Sequence, residues 1–250
     1  MTPAGAAVVV GGASGIGRAT VELLRRQGTD VYLADIDEPG AARVVSAEAP
    51  GRGVSGYCDL GSVDSPGQVV QSAVAALGRL DALIVCAGVL VEAELRDISL
   101  ADWERTMAVN LRGPFLLVQA AAPILARSSH GRVVLTASTA AFRGGAGTAA
   151  YAASKGGLVA MTRSLALGLA PARICVNCVA PGWIDTPFND PYWSRVGNTE
   201  DTHAALEARI PLGAQGTPAE VAAAIAFLAS PAAGYINGQA LAVDGGLLAS

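Results

Sequence analysis

Two textures of apolar and polar positions alternate along this chain. Short runs at AAVVVG (6–11), DVYLAD (30–35), GVSGYC (53–58), DALIVC (81–86), GRVVLTAS (131–138), RICVNCVA (173–180) and ALAVD (240–244) are mostly apolar and rich in β-branched residues, which predicts strands. Between them lie Ala/Leu-rich segments near 16–28, 62–78, 100–126, 150–170 and 217–230, whose length and spacing predict helices, the first closed by Gly28. Strands with no polar face need cover on both sides. The order therefore predicts an α/β fold, a doubly wound parallel sheet of about seven strands with helices on both faces. No repeat or composition shift divides the chain, so residues 1–250 read as one domain. The stretch from 181 to 216 lacks a period and reads as irregular, with a substrate-binding lid around 183–213.

Composition narrows the function classes. Apolar residues make up 52% and charged residues 15%, as expected of a buried fold rather than a disordered one. A net charge of −4 with no basic block gives no electrostatic case for nucleic acid or an anionic membrane. The N-terminal run MTPAGAAVVVGG lacks a charged leader region, so a cytoplasmic location is expected. Four cysteines are too few for a disulfide scaffold, and Cys175 and Cys178, three apart on a strand, point to opposite faces. With only His130 and His203 available, no metal site is expected.

The turn VVVGGASGIGRAT places Gly11, Gly15 and Gly17 between the first strand and first helix. Glycines there permit a tight turn and close backbone approach, and the helix N-terminus offers free N–H groups to a pyrophosphate. Asp35 ends the second strand, where a carboxylate accepts from both hydroxyls of an adenosine ribose and repels a 2′-phosphate. Ile36 follows it and brings no compensating base, so NAD is expected over NADP.

One residue type is conspicuous by its rarity. Sixteen of the seventeen basic residues are arginine, and the single lysine is Lys155 in YAASKGG. Tyr151 precedes it by one helical turn, so the two share a face. A phenol with a pKa near 10 is a poor base at neutral pH, and a nearby ammonium favours its phenolate.

These pieces fall into one register. GGASGIG, CAG (86–88), VN (109–110), Ser138, YAASK (151–155), NCVAPGWIDTP (177–187) and YINGQALAVDGG resemble the short-chain dehydrogenases/reductases in order and spacing, over the whole chain. The resemblance implies a Rossmann-like single domain that interconverts a secondary alcohol and a ketone, with hydride moving to or from the B face of the nicotinamide. It implies Tyr151 as general acid/base, Lys155 tuning it and gripping the nicotinamide ribose, Ser138 orienting substrate, and Asn110 holding a relay water. It also implies cofactor contacts at Ser14, Ile16, Asp59, Leu60, Ala87, Gly88, Pro181, Gly182, Ile184 and Thr186, beside the glycines and Asp35. Val10 stands where the family often has Thr, and Val85 and Cys86 where it has Asn, which puts local rigidity in question rather than the chemistry.

Four of the twelve aromatics, Trp183, Phe188, Tyr192 and Trp193, crowd the segment after the sixth strand. Trp183, Phe188 and Trp193 are expected to touch substrate as an apolar lid. Arg143 is placed to meet an anionic substrate or simply to stand in solvent. The apolar helices around 113–126 and 156–170 suit subunit contacts, and relatives of this length are mostly homotetramers. Two other readings remain open: a 3-oxoacyl-[acyl-carrier-protein] reductase, which usually runs on NADPH, and a non-catalytic dinucleotide-sensing protein.

Overall fold

The computed structural model describes residues 5–249, so the start of the N-terminal run (1–4) lies outside the described residues. Seven parallel strands, β1 (Ala6–Val10), β2 (Asp30–Asp35), β3 (Gly53–Tyr57), β4 (Ala82–Val85), β5 (Arg132–Thr136), β6 (Cys175–Pro181) and β7 (Ala240–Val243), pair in the order β3-β2-β1-β4-β5-β6-β7. The chain winds outward from β1 to β3, then returns beside β1 as β4 and winds the other way. That reversal opens a crevice at the carboxyl ends of β1 and β4.

Side chains alternate between two apolar layers even though both are buried. Val8, Leu83, Val133, Val176 and Cys178 point to one face, under α3 (Ser65–Leu77), α5 (Gly113–Leu125) and α6 (Ala149–Leu169). Val9, Leu33, Ile84, Val134 and Val179 point to the other, under α1 (Gly15–Arg26), α2 (Glu38–Ser46) and α9 (Pro218–Ala229). The same alternation separates Cys178, which is in the core, from Cys175, which is half-buried near the Gly234 carbonyl. The run Leu100–Leu125 is long and apolar enough to cross a membrane by length and composition alone. Here Leu117, Ala121 and Leu125 are fully buried against the sheet.

Two stretches differ from the sequence pattern. The helix α2 is not among the predicted ones, because Pro39 and Gly40 in DEPGAAR read as turn residues. Pro39 sits in the first turn, where its missing N–H costs nothing, and the Asp37 side chain caps the Gly40 N–H. The stretch 181–216 is half helical rather than irregular throughout, holding a single 3-10 turn (Pro187–Asn189), α7 (Asp190–Val196) and α8 (Glu200–Glu207). Gly197, at φ +92°, divides the two helices, and Thr199 and Thr202 close a reciprocal cap at the start of α8. Helices of seven or eight residues are too short to print a clear period.

The opposite end of the sheet is held by Asp81. Its carboxylate is buried and accepts from the Ala6 N–H at 2.9 Å, the Arg79 guanidinium at 2.7 Å and the Ser128 hydroxyl at 2.6 Å. It thereby joins the starts of β1, β4 and the segment leading into β5. Burial alone would push its pKa up, but these donors outweigh it and hold the carboxyl below its usual range. A group with a lowered native pKa stabilises above its unfolded pKa and loses that contribution as pH falls through the native value. Asp81→Asn should therefore cost about 1–3 kcal/mol at neutral pH in denaturant unfolding, with the gap closing as pH drops below about 4. A gap independent of pH would rule out the ionised carboxylate as its source.

Candidate active site

The crevice is a cleft of about 960 Å³, open at the carboxyl ends of β1, β4, β5 and β6. Its first wall is the glycine turn. A Cβ on Gly17 would lie 1.8 Å from the Gly11 carbonyl oxygen, so the turn closes only on hydrogen. Gly11 and Gly15 have φ values of +82° and +50°, a region that side chains disfavour. Ser14 stands at the N-cap of α1 without capping it through its side chain, which leaves the first-turn N–H groups available to an anion. This cradle fits the pyrophosphate of a dinucleotide.

Asp35 lies at the cleft wall beside Ile36. Its carboxylate accepts from the Ala13 N–H at 2.9 Å and the Asp37 N–H at 3.0 Å, so the β2 terminus and the glycine turn hold it in place. Asp59 accepts from the Gly61 N–H at 2.8 Å. Leu60, Ala87, Gly88, Pro181, Gly182, Ile184 and Thr186 line the same cleft, together with Ser14, Gly15, Ile16 and Gly17.

Tyr151 and Lys155 enter from the first turns of α6, and Ser138 from the end of β5. Lys155 is 3% exposed and donates to the Thr136 carbonyl at 2.7 Å, with its ammonium 5.7 Å from the Tyr151 ring centre. Burial lowers the ammonium pKa to about 8. Burial raises the Tyr151 phenol to about 12, and a hydrogen bond with Ser138 opposes this only in part. The expected lowering of the phenol by its neighbour is thus absent, because desolvation outweighs it. A Cβ on Gly88 would sit 3.3 Å from both Lys155 Nζ and Asn110 Oδ1, so backbone and side chains converge tightly there.

Asn110 is buried and lies outside the cleft lining. It sits in a π-helical turn, Ala108–Arg112, between α4 (Leu100–Met107) and α5. Its Oδ1 accepts from the Val89 N–H at 2.8 Å, and its Nδ2 donates to the Val89 carbonyl at 2.9 Å and to Ser154 Oγ at 3.1 Å. The carboxamide therefore clamps the loop following β4 to α6. Cys86 also borders the cleft; burial pushes its thiol up to about 11, against hydrogen bonds with Thr136 and Thr20.

At the far end Phe188 lies 6.1 Å from the Tyr151 ring, and Trp183 lines the cleft. Trp193 does not line it. That side chain is 8% exposed and stacked on His203 at 4.0 Å, with Tyr192 bridging it to Trp183. Its contact is with the short helices themselves, as packing rather than as pocket wall. Arg143 lines the cleft and donates to the Leu247 carbonyl at 3.0 Å. Three features had no sequence signal: the Thr136 carbonyl, the Glu92–Arg195 ion pair at 2.9 Å joining the post-β4 segment to α7, and Arg209 on the cleft wall. A backbone acceptor carries no side-chain signature, and the other two depend on distant segments meeting. Among the described residues no cluster of His, Cys, Asp or Glu is placed to hold a metal ion.

Comparison with known proteins agrees with this geometry. A family model described as enoyl-(acyl carrier protein) reductase matches residues 11–248. The chain is 40% identical over 242 residues to (2S)-[(R)-hydroxy(phenyl)methyl]succinyl-CoA dehydrogenase subunit BbsD of Thauera aromatica, covering 96% of this chain and 95% of that one. It is 37% identical to the 3-oxoacyl-[acyl-carrier-protein] reductase FabG of Thermotoga maritima, covering 96% of each. The crystal structure of levodione reductase superposes with a TM-score of 0.93 at 28% identity, covering all of both chains.

Proposed function

The chain belongs to the short-chain dehydrogenase/reductase family of oxidoreductases, and from that premise we propose that it is an NAD(H)-dependent enzyme interconverting a secondary alcohol and a ketone. The nicotinamide, when bound, supplies or accepts the hydride. Everything else falls to the side chains of the cleft. Ser138 and Tyr151, hydrogen-bonded to each other, are a polar pair facing the cleft near Phe188. Tyr151 takes the hydroxyl proton in oxidation and returns it in reduction, while Ser138 donates to the oxygen where negative charge develops.

Lys155 would hold the ribose hydroxyls on the nicotinamide side. The Lys155 ammonium, lowered to about 8, can exchange a proton near neutrality, whereas a phenol near 12 does not ionise unaided. A nearby ammonium favours the phenolate, and Lys155 stands 5.7 Å from the Tyr151 ring centre. A guanidinium cannot substitute, since it is broader and does not give up its proton. The single observation that carries the reading is this buried Tyr151–Lys155 pair beside Ser138 at the mouth of a dinucleotide cradle.

What supports NAD over NADP is Asp35, a fixed carboxylate with no base beside it. A 3-oxoacyl-[acyl-carrier-protein] reductase remains the second reading, favoured by the likeness to the Thermotoga maritima enzyme. Cofactor preference separates the two. The enzyme is further proposed to act in the cytoplasm as a homotetramer. Support for assembly comes from apolar side chains left in solvent on α5, α6 and the C-terminal segment, namely Phe115, Leu167, Tyr235 and Leu241.

Following reduced-nicotinamide absorbance with a panel of secondary alcohols and ketones should give turnover with NAD(H), with NADP(H) weaker. Asp35→Ser should shift that preference toward NADP(H) by about 10- to 100-fold. Tighter use of NADPH by the unmodified protein would move the assignment to the second reading. In sedimentation velocity the protein should run as a tetramer, and a monomer would remove that part of the proposal.

A further inference from the structure

The substrate end of the cleft carries two arginines that are in no ion pair among the described residues. Arg143 and Arg209 both line it, and both are exposed. Arg143 spends one nitrogen on the Leu247 carbonyl. Arg209 makes no hydrogen bond or ion pair through its side chain among the described residues, following α8 just before the buried Ile210. The two flank one feature. Leu212 donates to the Gly245 carbonyl at 3.1 Å, and a Cβ on Gly245 would come within 2.6 Å of Ile210, so the Arg209–Leu212 segment packs directly on the C-terminal turn that Arg143 grips from the other side.

Four acids line the cleft. Asp35 and Asp59 belong to the adenosine end, Glu92 is bonded to Arg195, and Glu104 stands on α4 beside Arg105. Phe188, Trp183 and Leu247 give the same cleft an apolar lining, with Phe188 6.1 Å from the Tyr151 ring. Tyr151 is 8% exposed, whereas the guanidinium groups stand at the rim.

Resting on the reading as an alcohol dehydrogenase, we propose that the substrate is a hydroxy acid whose carboxylate lies across an apolar body from the carbinol, gripped at the rim by Arg209 and Arg143. A carboxylate next to the carbinol would instead lie beside the buried Tyr151 rather than at the rim. Arginine suits this task because its planar fork meets a carboxylate through two parallel hydrogen bonds.

The test compares kcat/KM for para-(α-hydroxyethyl)benzoate and its cyclohexane analogue with their methyl esters. The unmodified enzyme should prefer the acids by about tenfold or more, as a charge-assisted pair at a solvated rim allows. Arg209→Gln should bring the ratio close to one, chiefly through KM, and Arg143→Gln should lower it. Arg105→Gln, a cleft arginine beside Glu104 on α4, should leave the ratio where it was. No acid preference, or equal losses on acid and ester, overturns the inference. Turnover of uncharged alcohols alone overturns it while leaving the proposed reaction standing. If no alcohol or ketone reacts with either nicotinamide, the proposed reaction fails instead. Calorimetric titration with para-acetylbenzoate against its methyl ester then decides this inference, which falls if the acid binds no tighter.

Discussion

A lysine ammonium buried at the carboxyl end of β5, held by one backbone carbonyl, is the constraint around which this cleft is arranged. Charge in such a place is expensive, and the protein answers by lowering the ammonium pKa to about 8 and by giving it the Thr136 oxygen. Everything near it is shaped to keep that geometry. Gly88 omits the side chain that would crowd it, Asn110 clamps the loop after β4 through Val89, and Ser154 ties Asn110 back to α6. A π-helical turn puts the one extra residue into the α4–α5 run that aims Asn110 inward.

Stability and function occupy opposite ends of the same sheet. At the amino ends of the strands, Asp81 gathers three donors and fixes where β1, β4 and β5 begin. At the carboxyl ends the strands stop in glycine, short helical turns and aromatic side chains, and the first-turn N–H groups of α1 are left for a ligand. Cofactor and substrate meet over Tyr151, with an anion cradle on one side and a cationic rim on the other.

Much of this was legible before any coordinates. Seven strands of buried apolar residues dictate a two-faced parallel sheet, and glycine at 11, 15 and 17 dictates a close backbone turn. The cofactor-end residues and the Ser138–Tyr151–Lys155 group line one cleft, and most of them were named through the family resemblance rather than by spacing alone. The helix α2 was hidden by Pro39 and Gly40, which signal turns locally but serve here at a helix start. The helices of the 183–213 segment are too short for periodicity, and their order comes from packing, with Trp193 stacked on His203 instead of facing the cleft. The direction of the Tyr151 shift was also out of reach. Adjacency of a cation predicts a lower phenol pKa, but burial depth is a property of the whole fold, and it wins.

The account stands on Tyr151 as the group that moves the substrate proton. The most direct test mixes the enzyme rapidly with NAD and a secondary alcohol and records the first turnover of nicotinamide reduction, for the unmodified protein and for Tyr151→Phe. Loss of the phenol should slow hydride transfer by about 10²- to 10⁴-fold in a variant that still folds and binds NADH. Transfer at the unmodified rate in that variant would contradict the account, because the substrate proton would then leave by another group.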